Sequence, residues 1–289
     1  MSTFIVALDF SVSDDRAIRR AVIQARSADV GLVLIHVETD PQSGQLYAEL
    51  AAERSTKLED LAKSISSHDG VDCESVIGTG DVADQVVLLA ERRSASLIVV
   101  GRHERGLRDL VVSTVSEQIA RRTTVPTLIA NSLPVAPYAH ILLGTRLDEP
   151  SAALARWLAG NPFGGSAELS MLFVHEPYTP LPLSGDVDIS PEARRADEEL
   201  RLARQALDEF VARTGLVESV YAQARLQRMP VSLELDDFAS ELGCDLVAIA
   251  GSEKPLVERV VTGSVAKDVV REVEKDILIY PPAIRLQST

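Results

Sequence analysis

Two stretches decide how this chain folds: ASLIVVG at residues 95–101 and CDLVAIAG at residues 244–251. Each is an aliphatic, β-branched run that is apolar on both faces and closes on a glycine, the pattern of a strand buried on both sides of a parallel sheet. Upstream of the first lie FIVAL (4–8) and VGLVLIHV (30–37), and downstream lies VPTLIAN (125–131). Between these runs the pattern is helical. Ala17, Ile18, Ala21, Val22 and Ala25 form one stripe behind Ser11 and Ser13, either of which suits an N-cap. Leu46, Leu50, Leu58, Leu61 and Ile65 form a second stripe, and Val82, Val86, Leu89 and Ala90 a third. Strands alternating with helices require crossover connections, and so a mostly parallel sheet.

The pattern then starts again. SLPVAPY (132–138) carries two prolines and no helical period, and reads as a linker. Beyond it HILLG (140–144) answers FIVAL, SAELSMLFVH (166–175) answers VGLVLIHV, CDLVAIAG answers ASLIVVG, and KDILIYPP (275–282) answers VPTLIAN. Ile141 falls on Phe4 and Val174 on Val37, whereas by Gly251 the second copy has gained about thirteen residues, which we place in the Pro-rich run PYTPLPLSGDVDISPEA (177–193). The expected architecture is two tandem, doubly wound, mostly parallel five-stranded α/β sheets, with domains at 1–135 and 136–289. The charge-rich run 192–210 reads as a solvated helix face.

Composition narrows the function. Of 289 residues, 29 are Lys or Arg and 43 are Asp or Glu, for a net charge of −14. That field repels phosphate backbones and anionic headgroups, so nucleic-acid and membrane-surface partners are not expected. The start MSTFIVALDF lacks the basic and apolar segments of a leader, and a cytoplasmic location is expected. Cys73 and Cys244 have no spacing for zinc and imply no disulfide framework. No Ser-His-Asp, Cys-His, HExxH or P-loop arrangement is present, which leaves no positive case for catalysis and no assigned catalytic or metal-binding residue.

Ligands of open parallel sheets bind at the carboxyl ends of strands. There the first half offers Asp9, the run His36-Val37-Glu38, and VVGRHERGLRDLVVSTVSEQIA (99–120), in which Gly101 and Gly106 precede Ser113-Thr114 at the start of a helix. Glycine admits a close phosphate and a helix start favours an anion. The second half writes AIAGSEKPLVERVVTGSVAKDVV (248–270), with Gly251 at a strand end and Gly263-Ser264 opening the helix.

These residues resemble the universal stress proteins in their tandem form, from Phe4 to about Pro282. The resemblance implies an adenine nucleotide alpha hydrolase-like fold and a stress-response protein that is regulatory or ligand-sensing. It also implies ATP or AMP as the candidate ligand, and terminal strands (VPTLIA and DILIY) that pair as a pseudo-dimer within the chain or between chains. By motif, Asp9 matches the contact to base or ribose, Val37 the residue whose backbone faces the base, and Gly101 the first motif glycine. His103 and Arg105 flank the second, and Ser113-Thr114 stand where Gly-Ser would be. The implied ligand-binding set is Ala7, Asp9, Val37, Gly101, His103, Gly106, Ser113, Thr114 and Val115, with Gly251, Ser252, Gly263, Ser264 and Val265 in the second half.

There are departures in both halves. Glu104 replaces the second motif glycine in the first half, where the loop to Ser113 is one residue short; Arg146 and Lys254 replace the Asp and the second glycine in the second half. An alternative reading is therefore an interaction scaffold with vestigial pockets, and a third is slow nucleotide hydrolysis using His103. Asp9 is open to reading as ligand contact or as a turn former, and Arg146 as a phosphate partner or as the partner of Asp148 or Glu149.

Overall fold

The computed structural model describes residues 2–39, 45–102, 114–177, 191–216, 219–251 and 265–282. Among them are ten strands, β1 (Thr3–Leu8), β2 (Gly31–Glu38), β3 (Cys73–Thr79), β4 (Leu97–Gly101), β5 (Thr127–Ala130), β6 (His140–Thr145), β7 (Glu168–His175), β8 (Val220–Leu226), β9 (Leu246–Ala250) and β10 (Asp276–Tyr280). The helices are α1 (Asp14–Ala28), α2 (Gln45–Ser64), α3 (Val82–Arg92), α4 (Val115–Arg122), α5 (Glu149–Ala159), α6 (Pro191–Thr214), α7 (Val231–Leu242) and α8 (Val265–Glu272). A π-helical turn, Ile65–Asp69, ends α2. No helix among the described residues is long and apolar enough to cross a membrane.

The chain forms two compact units. The first holds the described residues up to Pro137 together with Phe163–Gly165 and the stretch from Asp276; the second holds Tyr138–Pro162 and Ser166–Lys275. In the first, the strand order is β3-β2-β1-β4-β5-β10. All neighbours are parallel except β5 and β10, which run antiparallel with Ile277 opposite Ile129. In the second, the order is β9-β6-β7-β8, and all neighbours are parallel. The tandem α/β organisation is as expected, and so is the pairing of the two terminal strands. Its consequence is an uneven division of strands, because β10 completes the first unit's sheet.

Burial explains the strands. β5 is buried throughout, as are Leu97 to Val100 of β4 and all of β9, whereas β3 at a sheet edge alternates and leaves Ile77 exposed. In α1, Ala17, Ala21, Val22 and Ala25 are buried as their spacing requires, but so are Arg20 and Gln24. The reason for Arg20 is a buried acid. Its Nε donates to Asp276 Oδ2 at 2.7 Å and its Nη1 to the Ala136 carbonyl at 3.0 Å, while Asp276 Oδ1 accepts the Asn131 and Ser132 amides at 2.8 and 2.9 Å. One carboxylate thus ties α1, the residues after β5 and β10 together.

One apolar stripe departs from expectation. Among the described side chains of α2, Leu58 and Ala62 are buried, continued by Ile65, while Leu50 is exposed; Leu46 lies outside them. In α4, Ile119 is core and Val115 is exposed. The charge-rich α6 behaves as read: Ala203, Leu207, Phe210 and Val211 face the core, and Glu198 and Arg201 pair in solvent at 2.7 Å. The added residues 177–193 lie mostly outside the described residues.

Candidate functional site

In the first unit the chain leaves β1 toward β2 and later returns to β1's other side with β4, so the strand order reverses between β1 and β4. A crevice opens at such a switch point, beyond the carboxyl ends of the strands. Here it is a cavity of about 580 Å³ lined from β1 by Ala7 and Leu8, from the next turn by Asp9, Phe10, Ser13 and Asp14, and from β2 by His36, Val37 and Glu38. Gly101 closes it at the end of β4, and Thr114, Val115 and Ser116 at the start of α4. Every described first-half member of the expected binding set lies on this cavity. His103, Gly106 and Ser113 lie outside the described residues, as does Glu104.

The turn after β1 shapes one wall. Asp9 Oδ1 accepts the Ser11 amide at 2.9 Å, so Asp9 does form a turn, and the residue also lines the cavity. Phe10 has φ 63°, a left-handed conformation unfavourable for a side chain of its size. It is held there by Asp14, whose carboxylate accepts the Phe10 amide at 2.6 Å and the Asp9 amide at 3.1 Å. Ser13 stands at the N-cap of α1, but its hydroxyl pairs with that of Ser11 at 2.7 Å rather than capping the helix. Burial, and next the neighbouring Asp9 charge, push the Asp14 carboxyl up to about 7.

The opposite wall is also braced. His36 Nδ1 sits 2.9 Å from the Leu8 carbonyl and its ring lies 4.6 Å from that of Phe10, over which Lys57 places its ammonium at 4.9 Å. Glu38, itself buried, accepts Arg54 Nη1 through both oxygens at 2.8 and 3.1 Å. Thr114 caps α4, accepting the Glu117 amide at 3.3 Å. The helix start therefore borders the cavity with its positive dipole end, which suits an anionic group.

Gly101 is required by contact rather than by conformation. A Cβ there would lie 2.7 Å from the Ser13 carbonyl oxygen and 2.9 Å from its carbon, both backbone atoms. Gly101→Ala is expected to cost roughly 1–3 kcal/mol as α1 is forced away from β4. At Gly144 the closest atom would be Leu235 Cδ2, the tip of a flexible side chain, so Gly144→Ala is expected to cost less. Urea unfolding of the two variants checks the order.

The second unit has its switch point between β6 and β9, and there the arrangement differs. Arg146, in the place of Asp9, donates Nε to Asp148 at 2.9 Å, Nη1 to the Ala250 carbonyl at 2.8 Å and Nη2 to the Gly251 carbonyl at 3.0 Å. The guanidinium spans the strand ends between which a ligand would enter. The pairing of Arg146 with Asp148, one of its two readings, is present. Leu147 repeats the left-handed turn of Phe10 at φ 61°, and Ser151 takes the place of Asp14, its Oγ accepting the Arg146 amide at 3.2 Å. Val265 lines a hollow of about 690 Å³ with Glu176, Arg228, Pro230, Val231 and Asp268, and Gly251 is not among its lining residues. Ser252, Gly263 and Ser264 lie outside the described residues.

Asp14, Phe10 and Arg54 were not among the expected site residues. The signal for Asp14 lay in the repeat: aligning DFSVSD (9–14) with RLDEPS (146–151) places a carboxylate where the other copy has a hydroxyl.

Known proteins place the chain in a family. It is 28% identical over 141 residues to the universal stress protein YxiE of Bacillus subtilis, covering 43% of this chain and 95% of that one. Its fold resembles that of a universal stress protein from Archaeoglobus fulgidus, with a TM-score of 0.69 at 15% identity and coverage of 97% and 96% of the two chains. It also resembles a protein of unknown function from Pseudomonas aeruginosa, with a TM-score of 0.67 at 16% identity and coverage of 98% and 93%. The universal stress protein family model matches twice, at residues 1–131 and 137–281. The chain belongs to the universal stress protein family, with two copies of the family's domain in tandem.

Proposed function

We propose that the chain is a regulatory, ligand-sensing member of its family that takes one adenine nucleotide, AMP or ATP, in the first half (1–135). The second half (136–289), in this reading, is a folded partner module whose own site is shut. The observation that carries the reading is the contrast at the two switch points: the first opens on a cavity of about 580 Å³, while Arg146 bonds across the second. In this reading Val37, on the cavity wall, faces the adenine edge and the start of α4 takes a phosphate. Asp9, Asp14 and Glu38 line the same cavity and disfavour a large anionic load, so AMP is expected to bind more tightly than ATP. Binding rather than turnover is the proposed task.

The test is to denature protein purified from cells, identify released small molecules by mass spectrometry, and follow thermal unfolding on adding AMP or ATP. Co-purified adenine nucleotide, or a melting temperature raised by several degrees at saturating AMP, is the expected result. An empty protein that neither nucleotide stabilises favours the interaction scaffold instead.

A further inference from the structure

The first unit's cavity carries a carboxylate that the second copy lacks. Asp14 stands where the repeat has Ser151, and both side chains accept amides of the turn that follows the first strand of their unit. A hydroxyl does this without charge. Asp14 does it with a carboxyl, on a residue that is 7% exposed and lines the cavity.

We propose that Asp14 sets the charge preference of this cavity and couples ligand capture to a proton. Anionic ligands enter with proton uptake by Asp14 and bind more tightly as pH falls through neutrality, while neutral ligands are indifferent to pH. The proposal rests on the nucleotide reading for its choice of ligand.

The surroundings of Asp14 make it the responsive group. Asp9, in the same turn, lies close enough for its charge to oppose ionisation of Asp14, after the larger opposition from burial. From β2 the cavity receives His36 and Glu38, and from α2 Arg54, with Lys57 above the Phe10 ring. Arg54 is bound to Glu38 through both carboxylate oxygens and so offsets that acid rather than Asp9 and Asp14. Beyond Gly101 of β4 comes Arg102, and α4 contributes Glu117, whose amide is held by Thr114. A ligand phosphate brought into this cavity adds negative charge near a carboxyl already balanced near neutral pH, and protonation is the low-cost response. The protonated acid keeps an oxygen for the Asp9 and Phe10 amides, so the wall persists.

The test is titration calorimetry with AMP and with adenosine at about pH 6 and about pH 8. It uses the full chain, Asp14→Asn, and Asp14→Ser, the last copying the second unit's own solution. If bound phosphate makes ionised Asp14 tenfold less favourable, AMP binds the wild type roughly fivefold more tightly at about pH 6 than at about pH 8, beyond any change in the variants. Adenosine shows no such difference. Titration of the phosphate itself is common to all three proteins and cancels. The same pH response in wild type and both variants overturns the proposal and assigns the proton to another group, leaving the nucleotide reading intact. Absence of binding by AMP and adenosine in all three proteins at both pH values overturns the nucleotide reading and the proposal with it.

Discussion

Asp276→Ala is expected to lower the unfolding free energy by about 3–5 kcal/mol, the range for removing one member of a buried ion pair. The side chain is 0% exposed and its partner Arg20 is 4% exposed. Truncation takes the carboxylate partner from the buried Arg20 guanidinium and removes the acceptor of the Asn131 and Ser132 amides. Asp276→Asn keeps the volume and one acceptor oxygen, so it should lose less. Replacing both partners with apolar residues, Arg20→Met with Asp276→Leu, should recover part of the loss, because no charge is then left buried. Denaturant unfolding of the four proteins measures this. If Asp276→Ala loses under about 1 kcal/mol, β10 is not held to the first unit by this carboxylate.

Asp14→Asn should stabilise the protein increasingly as pH rises from about 4 to about 7. The sign follows from proton counts: the unfolded chain gives up the Asp14 proton near the ordinary 3.8, whereas the folded protein keeps it to about 7. Across that window the folded state binds more protons, and its stability falls as pH rises. The full span sets an upper bound of about 4 kcal/mol. Below about pH 4 both states are protonated and the penalty is absent. Plotting the melting-temperature difference between Asp14→Asn and wild type against pH isolates Asp14 together with its coupling to Asp9, since the titrations of groups that do not interact with Asp14 cancel. Parallel curves across the window would mean that Asp14 ionises normally in the folded protein.

The tandem repeat and eight of the ten strands were legible because buried parallel strands must be apolar on both faces, and runs such as LIVV (97–100) and LVAIA (246–250) admit no other use; the half-exposed edge strands β3 and β8 and the strand order were not. The cavity's backbone liners were legible too, since strand ends and glycines mark where a parallel sheet opens. What hid from the sequence were contacts that cancel polarity over long separations. Arg20 looks like a surface residue of an amphipathic helix until Asp276 arrives 256 positions later to meet it. Asp14 looks like a favourable acid in a helix's first turn, and only the folded turn shows it bent back onto Asp9 and Phe10. Gly101 was legible as a glycine but not for its reason, the backbone of Ser13 pressed against it. Arg146 was legible as a departure, but two carbonyl partners more than a hundred residues away decided its role.

The central claim is that one of two repeated sites is open and the other is closed by its own arginine. Calorimetric stoichiometry with AMP tests it most directly, on the wild type and on Val115→Trp, which places a bulky ring at an exposed cavity-lining position without disturbing the core. The account predicts one AMP per chain for the wild type and none for Val115→Trp. Two AMP per chain, or one that survives Val115→Trp unchanged, would contradict it.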